Sequence, residues 1–202
     1  FALIIQTPLT LKAEIIYEGW HKVMSAGQHV GYYILRYDMD PKRKKFTQTS
    51  FLKSNAVGND VTEALKAESI QVTEPNQWIV PSKYQYTSTV GKKMKVIDAV
   101  FQEDGAKPIS KKKGKAVAAQ PAGKIKLRMV ATVTEDGKTV KVDQVLPENT
   151  FLSSFLTYII LQSKDGLKVG NNYTYHAVAE EDAATFEGSA FVKETEKYNN
   201  QD

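Results

Sequence analysis

Three histidines, His21, His29 and His176, and one acidic run, Glu180-Glu181-Asp182, are the residue types best suited to holding a metal ion. His21 and His29 fall on the two arms of one predicted hairpin, close enough to be neighbours across it, but nothing nearby stands at the spacing of a third ligand. The acidic run lies between two predicted strands and lacks the spaced oxygen donors of a calcium loop, so it reads as a hairpin turn. Hydrolysis by paired carboxylates needs acids on inward strand faces, and most acids here fall on turns or polar faces. No serine stands in a G-x-S-x-G elbow, and the glycines are scattered singly at turns rather than gathered to cradle a phosphate. The chain has no cysteine, which removes thiolate nucleophiles, zinc–thiolate sites and disulfides. No catalytic residue, metal site or cofactor is therefore assigned.

Two groups of residues remain as candidates for binding. Lys107, Lys111, Lys112, Lys113 and Lys115 crowd one short segment and account for the formal charge of +4; the rest of the chain is close to neutral. Lys111, Lys112, Lys113 and Lys115 could meet an anionic surface such as lipid headgroups or lipopolysaccharide, at about 1 kcal/mol per charge held against it. The plainer reading is a solvated insertion. Without interleaved aromatics for base stacking, nucleic acid is not an expected partner. Among the aromatics, Trp20, Tyr33, Tyr84 and Tyr86 are the candidates to line a lipid or sugar pocket at the open edge of a sheet. Covering sheet faces or packing on a helix is the competing role for them.

The elements that would carry these residues are mostly strands. Val, Ile, Thr and ten tyrosines suit pleated, half-buried surfaces. Residues 15–24 and 29–39 form a hairpin about Ser25-Ala26-Gly27-Gln28, and Asp40-Pro41-Lys42 makes the next turn. Strands follow at 46–53, near 61–72, at 83–90 and at 93–102, with Pro81 marking Trp78-Ile79-Val80 as an edge or connector. Residues 124–134 alternate cleanly, Ile125, Leu127, Met129, Ala131 and Val133 against Lys124, Lys126 and Arg128, before the turn Glu135-Asp136-Gly137-Lys138. Segment 103–123, rich in Lys, Ala, Gly and Pro, reads as a mobile loop. The apolar run from Phe151 to Leu161 predicts a helix over 148–164, of about 15 residues and roughly 22 Å, capped by Gly166. Two strands near 172–180 and 185–195 close the domain, and 198–202 is a polar tail.

The expected fold is therefore mainly β: a curved antiparallel sheet or open barrel of about nine or ten strands wrapped around one apolar helix. It occupies 14–197 as a single domain. Phe1 to Ala13 reads either as the remnant of a secretory leader cleaved after Ala13 or as an ordinary edge strand. No segment approaches the roughly 18–20 apolar residues of a membrane-spanning helix.

Three stretches resemble one family. Gly19-Trp20 with Ala26-Gly27-Gln28-His29-Val30-Gly31-Tyr32, the run from Leu146-Pro147 through Leu161, and Leu167-Lys168-Val169-Gly170 leading to Tyr173 and Tyr175 are similar to uncharacterised bacterial periplasmic β domains. These include the domains that precede transglutaminase-like domains in secreted proteins. The resemblance spans most of 14–196 and implies an open barrel about a helix, comparable in outline to lipoprotein-carrier folds, with no catalytic residues; the lysine insertion is not part of its pattern. Three functions follow as expectations. One is a non-catalytic periplasmic or secreted domain that holds a lipid, a glycan or an envelope protein. Another is a structural module of the cell envelope with a filled core. The third is an enzyme, for which inward-facing acids or histidines gathered in a cleft would speak.

Overall fold

A computed structural model describes residues 13–56, 59–71, 79–104, 126–163 and 166–194. Eight strands run as an antiparallel meander, each bonded to its neighbours in sequence: β1 (Glu14–Ser25), β2 (Gln28–Asp40), β3 (Lys45–Ala56), β4 (Asn59–Gln71), β5 (Ile79–Val90), β6 (Lys93–Glu103), β7 (Leu127–Glu135) and β8 (Lys138–Val145). A second sheet has the order β11-β10-β9, from β9 (Phe151–Leu152), β10 (Asn172–Ala179) and β11 (Ala184–Phe191). Between β9 and β10 come a 3-10 turn, Ser153–Phe155, and one short helix, α1 (Leu156–Gln162). β1 and β8 do not pair, so the large sheet stays open. The chain is mainly β, as its composition requires, with eleven strands among the described residues.

Local chemistry explains the meander. Ala26 and Gly27 both take positive φ, 47° and 78°, and so do Asp136 and Gly137, 47° and 80°. These are two-residue turns whose twist matches the strands they join. Asp40 closes the β2–β3 turn by accepting from the Lys42 and Arg43 amides at 3.1 Å. Gly31 has a different task. A Cβ there would stand 2.1 Å from the Lys53 carbonyl oxygen on β3. Gly31→Ala is accordingly expected to cost about 1–3 kcal/mol through backbone displacement, measurable by urea unfolding.

Strand alternation then builds the core. The register sets Tyr37, Gln48, Ala67, Tyr84, Ala99, Ala131 and Val142 abreast across β2 to β8 on one face. That inner face is covered by α1 and by the small sheet. Phe46 stacks on Tyr158 at 4.7 Å, Tyr37 meets Phe155 at 6.0 Å, and Gln144 of β8 bonds Thr185 of β11 at 2.6 Å. The space between α1 and the large sheet is therefore filled by side chains, several of them aromatic.

Several expectations need correction. The helix does not run over 148–164; only 156–162 are α-helical. Asn149 takes a positive φ of 59°, and Phe151 and Leu152 find backbone partners in Ala177 and Val178, so this part of the apolar run is strand. Ile79 and Val80 are not an edge but open β5, a central strand. Pro81 fits there because the register slips beside it: Glu68 faces Lys83 and Ser69 faces Pro81, leaving Ser82 as an extra bulge residue. His21 and His29 are not neighbours, since His21 faces Tyr33 and His29 faces Met24. Residues 1–12, Trp78, the lysine segment with Lys111, Lys112, Lys113 and Lys115, and the tail from 195 onward lie outside the described residues.

Candidate functional site

The acidic run reads from sequence as an exposed turn, and half of that reading holds. Residues 180–183 do turn, with Ala183 at φ 52°, and Glu181 and Asp182 face solvent. Glu180 does the opposite and is only 2% exposed. The cause lies in the small sheet. Leu152 pairs in parallel with Val178, so the residues just after β9 arrive level with the residues just after β10. Ser153 Oγ donates to Glu180 Oε2 at 2.5 Å, while Ser154 donates to Oε1 from its Oγ at 2.6 Å and its backbone N–H at 3.2 Å.

Glu180 thereby caps, from a distant segment, the turn that leads into α1, where an acid is electrostatically favoured. Burial pushes its carboxyl above the usual carboxylate range, and the serine donors only partly offset that. Next to it, the Tyr37 hydroxyl donates to the Ser154 carbonyl at 2.6 Å. Burial, together with the nearby Tyr33, Glu180 and Tyr17, pushes the Tyr37 phenol up to about 12.

Beside this latch the inner face opens into a cleft of about 400 Å³. Its floor is set by register. Tyr33, Leu52 and Glu63 stand abreast on β2, β3 and β4, and Ser50, Leu65 and Tyr86 abreast on β3, β4 and β5. Ser153, Ser154, Glu180 and Glu181 form its wall. Aromatic and leucine surface thus meets three carboxyl groups and three serines. Tyr86 is largely buried, which pushes its phenol up.

Of the four aromatics singled out from the sequence, two come together. Tyr33 and Tyr86 both line this cleft. Tyr84 lies in the core against Phe101 at 6.1 Å, and its buried hydroxyl has no hydrogen-bond partner among the described residues. Trp20 is on the outer face of β1 and 70% exposed, on the opposite side of the sheet from the other three even though it pairs with Ile34, the residue next to Tyr33. Sequence reasoning missed Glu63, Glu180, Ser153 and Ser154. Glu63 carried a legible mark, since it shares the inward register of Val61, Leu65 and Ala67 on β4. Glu180 had none, because its burial follows from a parallel pairing between distant segments.

A second cleft, about 470 Å³, lies on the other flank of the helix, between α1 and β10. Leu156, Ile159, Ile160, Phe151 and Tyr175 make it mostly apolar, with His176 also lining it. Among the described residues no three His, Asp or Glu side chains are grouped to hold a metal ion, and no helix is long and apolar enough to cross a membrane. Compared with protein-family models, curated proteins and solved structures, the chain matches none.

Proposed function

We propose that the domain is a non-catalytic binding module of the bacterial cell envelope, periplasmic or secreted, that holds an amphipathic envelope-derived ligand in the inner-face cleft. The observation that carries this reading is the cleft's composition: two tyrosines and two leucines facing carboxylates and serines within about 400 Å³. Flat aromatic surface with convergent acceptors and hydroxyls suits a hydroxyl-rich ring, so a glycan is favoured as the bound part. The resemblance to exported periplasmic domains supports the location.

The test is a native mass spectrum of the protein purified from its own cells. A bound glycan or glycolipid mass is expected, and it should disappear in Leu52→Trp, which fills the cleft from β3. A spectrum of bare protein alone overturns the proposal. An acyl chain would instead occupy the apolar cleft beside α1, in which case Leu156→Trp is the variant that loses the added mass.

One observation favours an enzymatic alternative. Glu63, Glu180 and Glu181 line the same cleft, and one of them is pushed toward the protonated form, the division of labour that paired-carboxylate hydrolysis uses. Against it, both Glu180 oxygens already accept from serine donors, which suits a fixed structural acceptor more than a proton donor to a ligand. Incubation with cell-wall glycan separates the two: products that vanish in both Glu63→Gln and Glu180→Gln would establish hydrolysis.

A further inference from the structure

β1 is one edge of the large sheet, and among the described residues it bonds to β2 alone. Edge strands present unpaired backbone groups to another chain, and bulges and charges restrict where and in what register such pairing can occur. This one has twelve residues and exposes Ile15, Ile16, Tyr17, Trp20 and Met24. Its pairing with β2 is irregular at two places, between Ile15 and Tyr17 and between Val23 and Met24. The regular stretch between them runs from Tyr17 to Val23, and Trp20 is its midpoint.

We propose that two copies of the chain associate through β1, antiparallel about a two-fold axis at Trp20, joining their eight-stranded sheets into one. The sequence of the stretch is complementary to itself in this register. Glu18 of one copy faces Lys22 of the other, twice by symmetry, and the two Trp20 side chains lie side by side on the outer face. On the inner face Tyr17 meets Val23 and Gly19 meets His21. Gly19 is roofed by its own Tyr17 ring, whose hydroxyl lies 3.4 Å from His21 Nε2, so the incoming histidine meets that ring and not a bare glycine backbone. Within each copy Glu18 also pairs with Arg36 at 3.7 Å, so charges alternate in sign across the join.

Other registers that keep the same faces lose this match. Moving the axis one residue either way sets Trp20 against Glu18 or against Lys22. Moving it two residues sets Glu18 against Glu18 or Lys22 against Lys22, which is repulsive. The bulges at both ends confine the contact to the central stretch. The interface is isologous and closes on itself, so it ends at the dimer. A contact of this size is below that of obligate dimers, so association should be concentration-dependent over about 1–100 µM.

Sedimentation equilibrium of the full chain tests this. A monomer–dimer equilibrium is expected, weakened about tenfold or more by Glu18→Lys, which sets lysine against Lys22 twice. The reversed pair Glu18→Lys with Lys22→Glu should restore it. Because the chain has no cysteine, Trp20→Cys should oxidise to a disulfide dimer, while Val140→Cys on the opposite edge strand should not. The disulfide readout stands even where a charge reversal perturbs folding. A monomer at every concentration overturns the proposal, as does a dimer that ignores Glu18→Lys, fails to recover in the reversed pair, or cross-links through β8 instead.

Discussion

Phe155→Ala is expected to lower the unfolding free energy by about 3–5 kcal/mol, the range for truncating a fully buried aromatic. Phe155 is 0% exposed and joins the 3-10 turn to α1. Its ring meets Tyr37 on β2, and it belongs to the same core as Phe46, Tyr84 and Met129, so its removal opens a void between helix and sheet. The surroundings cannot easily collapse into that void, because the adjacent inner-face residues are held in register by strands on both sides. For a domain of this size the loss corresponds to roughly 10 °C in melting temperature. Leu161→Ala, on the same helix but 53% exposed, should lose far less. Urea unfolding with an unchanged m value would assign the difference to the native state. A Phe155→Ala loss below about 1 kcal/mol would mean that α1 does not pack where the structure puts it.

Glu180 gives the second large effect, with a sign that depends on the variant. Glu180→Ala leaves two serine hydroxyls and the Ser154 amide without their acceptor in a buried site, expected to cost about 2–4 kcal/mol. Glu180→Gln keeps the shape and an acceptor but carries no charge. Because burial raises the carboxyl's pKa in the folded protein above its unfolded value, the resulting stabilisation is fully present below the unfolded value and lost as pH rises through the folded one. Wild type should therefore lose stability relative to Glu180→Gln as pH climbs from about 4 toward neutrality. Thermal melts of both proteins across that window provide the check. A gap that stays constant with pH would show that Glu180 is ionised at no cost, and its burial would then need a different account.

How much of this was legible differs by element. Gly27 and Gly137 announce two-residue hairpin turns, and the alternation from Leu127 to Val133 gives both the strand and its inward face. Local geometry decides these, so local sequence suffices. The run from Phe151 to Leu161 is apolar enough for one long helix, yet Phe151 and Leu152 become strand because β10 offers them backbone partners. Pro81 argues against a central strand until a bulge removes the need for its missing amide hydrogen. In the candidate site, Tyr33 and Tyr86 could be named in advance as aromatics on strands. That Trp20 faces away depends on strand parity along a register set by turns and bulges, whereas Tyr84 and Tyr86 share one inward face and differ in what covers that face at their level.

By itself the sequence determined the strand rhythm, the tight turns and the presence of one apolar segment able to cover a sheet. These rest on backbone preference and side-chain period, which act over a few residues. Only the tertiary structure decided where that segment stops being strand, which aromatics meet, and that Glu180 is a buried latch. Those outcomes come from pairing between segments as distant as β9 and β10, where a backbone partner or a desolvated carboxyl outweighs any local tendency.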